Sequence, residues 1–194
     1  APMSKQRHTT ADVAAFESWL SVFRRPQTVN NRVHYATRLE TWATAHGCTP
    51  WTLDTTQISA WLTTVGKSPA TRKNALDAIR AFYRWGQHAG RVTGDPTAGL
   101  PHIRVPRGLP RPTPDHVLRS AVARCTRPTD ILMLLLGSLG GLRVGEMAIL
   151  RGEDINDGTI RVTGKGGHIR HVPVHPILAE ALQLVPSHGW LFPS

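Results

Sequence analysis

Six prolines fall within the twenty residues from Asp95 to Pro114, at positions 96, 101, 106, 110, 112 and 114. Proline locks φ and removes a backbone donor, so neither a helix nor a central strand runs through such a stretch. The fold must therefore be assembled from one part before it and one part after it. His102, Arg104, Arg107 and Arg111 lie among the prolines, and the segment reads as a stiff, extended, basic linker.

Ahead of the prolines, apolar residues recur at helical spacing in four segments. The first spans about Ala11 to Arg24, with Val13, Phe16, Leu20 and Phe23 facing inward and Pro26 ending it. The second, about Thr28 to His46, carries Val29, Val33, Ala36 and Ala43 and stops at Gly47. Near Asp54 a third begins, burying Ile58, Trp61, Leu62 and Val65 up to Gly66. Ser68 then caps a fourth, with Pro69 at its first position and Leu76, Ile79, Phe82 and Tyr83 inward. Four short amphipathic helices make a small bundle.

Behind the prolines the pattern changes. Thr113 as N-cap, Pro114 at the first position and Asp115 in the first turn open a helix to about Arg124. A second runs from Pro128 to about Ser138, where Gly137, Gly140 and Gly141 interrupt it, and a short third spans Val144 to Leu150. Thr159 to Thr163 and His168 to Val174 alternate as two strands around Gly164-Lys165-Gly166-Gly167, a hairpin signal, and Pro176 to Leu184 returns to helix. The predicted fold class is mainly α with a small β-hairpin (α+β). The expected division is a tail over 1–8, a helical domain over 9–94, a linker over 95–112 and a second domain over 113–194. Ala1-Pro2 ahead of Met3 reads as a cloning remnant, with Met3 the expected natural start.

Charge narrows the function. Lys and Arg number 23 against 13 Asp and Glu, a net charge of +10, and the excess is nearly all arginine, whose planar fork suits phosphate. The basic excess is split between the parts, +6 over residues 1–100 and +4 over 101–194, so both are expected to face a polyanion. On the polar faces of the second and fourth helices, Arg32, Arg72, Lys73 and Arg80 are the candidate DNA contacts. Cys48 and Cys125 are isolated, without a C-x-x-C pair, and are expected to be reduced and buried. The longest apolar run, Ile131 to Leu136, is far short of a membrane span.

Two short stretches carry chemistry. In Gly140-Gly141-Leu142-Arg143-Val144-Gly145-Glu146, an arginine follows glycines at a helix start, where its guanidinium and nearby backbone donors face a phosphate together. In Gly164-Lys165-Gly166-Gly167-His168-Ile169-Arg170-His171-Val172-Pro173, a lysine at a hairpin tip is flanked by glycines that allow close approach. The second is not a Walker A loop, because the first glycine is misplaced and the following Ser or Thr is missing. Taken singly, each also fits an ordinary basic turn.

In this order, about 22 residues apart, the two stretches resemble the tyrosine recombinase and phage integrase family. Residues Thr28 to Trp42, Ser68 to Trp85 and Gly94-Asp95-Pro96 are similar to that family's helical core-binding domain. The resemblance implies a SAM-like core-binding bundle over 9–94 and the N-terminal part of a catalytic domain over 113–194. It also implies a reaction in which a tyrosine attacks a DNA phosphodiester to give a 3′-phosphotyrosyl link, with no metal or nucleotide cofactor.

Arg143 matches the family's first catalytic arginine and Lys165 its hairpin lysine, the general acid; Glu146 matches a supporting acidic position and Arg170 a phosphate-contact position. The family's His-x-x-Arg box and nucleophilic tyrosine have no match, since His188 is followed by Gly-Trp-Leu and the two tyrosines, Tyr35 and Tyr83, lie in the helical front part. They are expected downstream of Ser194, which makes this stretch a DNA-binding but inactive portion. The implied partners are double-stranded DNA at a recombination site and further protomers in a synaptic tetramer. The implied setting is the nucleoid of a bacterial cytoplasm, with no membrane and with a phage or mobile-element gene among the open origins. Two other readings stay open: a naturally truncated, non-catalytic DNA-binding regulator, and an unrelated basic enzyme using Lys165 in a phosphate loop.

Overall fold

The computed structural model describes residues 10–106, 108–109, 111–164 and 166–193. The chain forms two compact units, dividing between Gly108 and Leu109.

The first unit holds α1 (Ala11–Phe23), α2 (Pro26–Ala45), α3 (Thr55–Val65) and α4 (Pro69–His88), with α2 and α3 both packed on α4 and α1 on α2. Each forms where the apolar spacing places one stripe inward: Val13, Phe16 and Leu20 on α1, Ile58, Trp61, Leu62 and Val65 on α3, Leu76, Ile79, Phe82 and Tyr83 on α4. A reciprocal cap starts α3. The Asp54 carboxylate accepts from the Gln57 amide at 2.8 Å, and the Gln57 side-chain oxygen accepts from the Asp54 amide at 2.9 Å.

An aromatic cluster locks α1 to α4. Phe82 stacks on Trp51 at 4.6 Å between ring centroids, meets Phe16 edge-on at 5.1 Å and lies 5.7 Å from Trp85. Trp51 seats against Gly86, where an added Cβ would stand 2.5 Å from the indole, so only glycine lets the ring approach α4 this closely. The indole N–H donates to Asp12 at 2.8 Å. Tyr83 donates its hydroxyl to the Pro50 carbonyl at 2.6 Å, and burial followed by the nearby Asp95 charge pushes its pKa well above the usual tyrosine value.

Several expectations are corrected. Phe23 is 61% exposed, because α1 ends on it and Arg24 leaves in extended backbone, so it keeps only the edge of Trp19 at 5.4 Å. α1 ends ahead of Pro26 as expected, whereas α2 begins at Pro26, two residues earlier than its expected start. Ser68 occupies the N-cap position of α4, but its side chain makes no cap bond. The proline-rich stretch is not extended from its start. Thr97 is fully buried, with its amide and hydroxyl both bound to the Asp95 carboxylate, and Leu100 and Ile103 pack on the helical core. Arg80 and Thr55 tie this segment down by donating to the carbonyls of Leu100 and Pro96. Both cysteines are free and half-buried rather than buried.

The second unit contains α5 (Asp115–Arg124), α6 (Pro128–Ser138), α7 (Val144–Met147), β1 (Ile155–Asn156), β2 (Thr159–Thr163), β3 (Ile169–Pro173) and α8 (Pro176–Leu182). The fold class is mainly helical with a small antiparallel sheet in the order β1-β2-β3, one strand more than the expected hairpin. β2 and β3 pair from Thr159↔Pro173 to Thr163↔Ile169. The extra strand turns into β2 through Asp157 and Gly158, both at positive φ. α5 begins one residue later than expected, with Pro114 in the cap position. α7 is a single turn that ends before Leu150, and α8 ends at Leu182. The core joins Leu132 and Leu136 of α6, Met147, Ile160 and Val162 of β2, and Leu178 of α8. No helix among the described residues is long and apolar enough to cross a membrane.

Candidate functional site

The loop from α6 into α7 places the first candidate group. Gly141 sits at φ +63°, a left-handed turn that a side chain would strain, and the chain then enters α7 with Arg143 in the cap position. Its side chain is 79% exposed. Three residues on, Glu146 turns its buried carboxylate back, accepting from the Arg143 amide at 2.8 Å and from the Arg143 guanidinium at 3.0 Å. The Arg143 amide is thereby consumed inside the protein and is not itself available to a phosphate.

Arg170 reaches the same carboxylate from β3. Its two terminal nitrogens donate to Oε1 and Oε2 of Glu146 at 2.8 and 2.9 Å, a two-pronged pair across 24 residues of sequence. The base of the β2–β3 turn closes on this pair, since a Cβ built on Gly164 would lie 3.6 Å from Glu146 Oε1. Gly164 itself donates to the His168 carbonyl at 2.7 Å. A cavity of about 730 Å³ opens in front, lined by Arg143, Glu146, Ile149, Thr163, His168 and Arg170. Lys165 lies outside the described residues. The structure thus brings Arg143, Glu146 and Arg170 together.

Electrostatics follow from the donor count. Hydrogen bonds from Arg170, then from the Arg143 amide, hold the Glu146 carboxyl down to about 2, against the opposing effect of burial. A carboxyl with a depressed pKa contributes stability that is complete above its unfolded value, near 4.5, and lost as pH falls through its folded value, near 2. Acid titration of the Glu146 carboxyl carbon by NMR is therefore expected to show essentially no protonation at pH 4, with the contribution to the second unit's stability falling progressively from about pH 4.5 and gone near pH 2. An ordinary midpoint near 4.5 would contradict the clamp.

Among the described residues, no group of three or more His, Cys, Asp and Glu side chains is placed to hold a metal ion. Among the four front-part candidates, three are already engaged. Arg72 donates to the Lys67 carbonyl at 2.7 Å, Lys73 pairs with Asp77 at 2.6 Å, and Arg80 donates to Leu100 at 2.8 Å. Arg32 and Arg80 share a groove between helices, whereas Arg72 and Lys73 lie outside it. Arg24 and Arg84, outside the expected set, also line that groove, and the Asp77, Arg80, Arg84 spacing along one helix face is the signal that points there. Tyr35 and Tyr83 are both buried in the helical core.

No protein-family model matches the chain. It is similar to the protein named tyrosine recombinase XerC of Mesorhizobium japonicum, 31% identical over 206 residues covering 90% of this chain and 65% of that one. It is also similar to the XerC of Xanthomonas campestris pv. campestris, 33% identical over 152 residues covering 73% of this chain and 47% of the relative. The chain thus spans about half to two thirds of the length of these curated relatives. Among solved structures, a lambda integrase tetramer bound to a Holliday junction superposes with a TM-score of 0.68 at 21% identity, over 89% of this chain and 54% of that one. XerH bound to its difH substrate gives 0.56 at 18% identity, over 86% and 55%. These two likenesses show the fold.

Proposed function

Since the chain belongs to the tyrosine recombinase family, we propose that it binds double-stranded DNA and supplies part of the active site of a site-specific recombinase. The observation that carries the reading is the Glu146 carboxylate gripped by Arg143 and Arg170 at the base of the β2–β3 turn.

In the proposed reaction a tyrosine oxygen attacks the phosphorus, the bond to the 5′-oxygen breaks, and a 3′-phosphotyrosyl link forms. Arg143, largely exposed and paired with Glu146 through one terminal nitrogen, neutralises charge growing on the non-bridging oxygens. Lys165 gives its proton to the departing 5′-oxygen, and rejoining reverses these steps. Glu146 and Arg170 are positioning residues: with both prongs on Glu146, Arg170 acts through the carboxylate rather than on phosphate. The nucleophile comes from outside residues 1–194, because Tyr35 and Tyr83 are packed in the first unit's core. Residues 9–94 act as the core-binding domain, and the whole protein assembles as a tetramer on its DNA.

Fluorescence anisotropy with a labelled 20-bp duplex tests this directly. Binding is expected at 50 mM salt and is expected to weaken by about tenfold or more at 200 mM, as counterion release requires. No binding at the lower salt would overturn the reading. On a nicked suicide duplex this chain is expected to form no covalent adduct, and an adduct would refute the placement of the nucleophile. If the natural product ends at Ser194, the protein is a non-catalytic DNA-binding regulator, for which the duplex result stays the same.

A further inference from the structure

The first unit carries an arginine concentration that neither the fold nor the reaction uses. A groove of about 690 Å³ between α1, α2 and α4 is lined by Arg24, Arg32, Arg80 and Arg84 against a single carboxylate, Asp77. Asp77 is itself held by Lys73 at 2.6 Å, and Arg80 is committed to the Leu100 carbonyl. Arg24, Arg32 and Arg84 make no side-chain hydrogen bond or ion pair among the described residues. Trp19 and the exposed Phe23 form the apolar wall of the same groove.

We propose that this groove is a phosphate seat, in which Arg24, Arg32 and Arg84 together hold one phosphodiester group of the bound duplex. The inference rests on the DNA-binding reading above and assigns it to particular side chains, two of them outside the expected set. Three guanidiniums supply up to fifteen donors around one concavity, which no protein carboxylate in the groove uses. Two of them close as forks on the two non-bridging oxygens, and the third neutralises the remaining field. Trp19 and Phe23 bound the groove on one side.

The cost of the arrangement in the empty protein points the same way. Burial first, then the charges of Arg24 and Arg84, push the Arg32 pKa below its ordinary value, so the like charges are held together at their own expense. An anion removes that repulsion. Arg72 and Lys73, engaged by Lys67 and Asp77, contribute little to the same grip.

The test uses this chain with two 20-bp duplexes of unrelated sequence, titrated by anisotropy over a range of KCl. Each of R24A, R32A and R84A is expected to weaken both duplexes equally, by about tenfold at low salt, and to flatten the logarithmic salt slope by about one unit. R72A, whose side chain is engaged by the Lys67 carbonyl outside the groove, is expected to leave the slope unchanged. Melting temperatures of R32A and R84A are expected to hold or rise, since crowding is relieved; R32K and R84K, which keep the charge, are expected to restore the slope but only part of the affinity.

An unchanged slope in R32A and R84A overturns the phosphate seat while leaving the DNA-binding reading intact, whereas a wild-type chain that binds no duplex refutes that reading itself. Loss of binding to a glutamate-rich peptide with duplex binding intact would assign the groove to an acidic protein segment and overturn the proposal. Displacement of the duplex by inorganic phosphate at millimolar concentration, absent in R32A, supports the seat and identifies the phosphate group itself as what is bound.

Discussion

Replacing Phe82 by alanine is expected to destabilise the helical unit by about 3–5 kcal/mol, a large part of the stability of a domain this size. Phe82 is fully buried and touches Trp51, Phe16 and Trp85 at once, so its loss empties the point where α1, α4 and the turn at Pro50–Thr52 meet. Trp51, wedged against Gly86 and held through its N–H by Asp12, has little freedom to collapse into the gap, which favours the upper part of that range. Urea unfolding followed by far-ultraviolet circular dichroism measures it. The core of the second unit shares no residue with this cluster, so only the transition of the first unit is expected to shift. A loss below about 1 kcal/mol would show that the aromatic cluster repacks.

If the proposed reaction holds, Arg143→Ala in a protein that also carries the nucleophile is expected to slow covalent capture of DNA by about 10²–10³-fold, the scale for removing one preorganised donor from a developing anion. Because the Arg143 side chain is largely exposed and leaves Glu146 with both prongs of Arg170, the second unit is expected to melt as the wild type does. Arg143→Lys is expected to recover only part of the rate, since an ammonium lacks the fork that grips two oxygens. Single-turnover capture on a suicide duplex reads the effect, and a rate within about threefold of wild type would remove Arg143 from the proposed chemistry.

The stripes that become buried were readable because helical periodicity reports which face meets a core: Val13, Phe16 and Leu20, and again Ile58, Trp61, Leu62 and Val65, behave as their spacing predicts. What covers a stripe is not local information. Trp51 meets Gly86 across 35 residues, and Phe23, in register with its stripe, projects because α1 ends on it. The stiff reading of the proline-rich stretch failed at Thr97 and Leu100 for the same reason, since hydrogen bonds to the Asp95 carboxylate and from Thr55 and Arg80 hold backbone that composition alone leaves extended. The third strand was signalled by Asp157-Gly158, a dipeptide that favours tight hairpins, and was overlooked beside the longer glycine run. At the site, the pairing of Glu146 with Arg143 follows from three-residue spacing at a helix start. The stronger grip by Arg170 does not, because it depends on where β3 lies beside α7.

The hydrogen bond from the Arg143 amide to Glu146 gives the protein a built-in spectroscopic marker. A peptide proton aimed at a carboxylate 2.8 Å away is expected to be deshielded and slow to exchange with solvent, which would set its resonance apart from the bulk of the amide envelope. That proton belongs to the residue proposed to meet the phosphate. When the Arg143 side chain is drawn to a ligand, Glu146 redistributes its contacts between the backbone and Arg170, and the marker moves. Occupancy of the site is thus readable from one backbone signal, without a label, a chromophore or turnover.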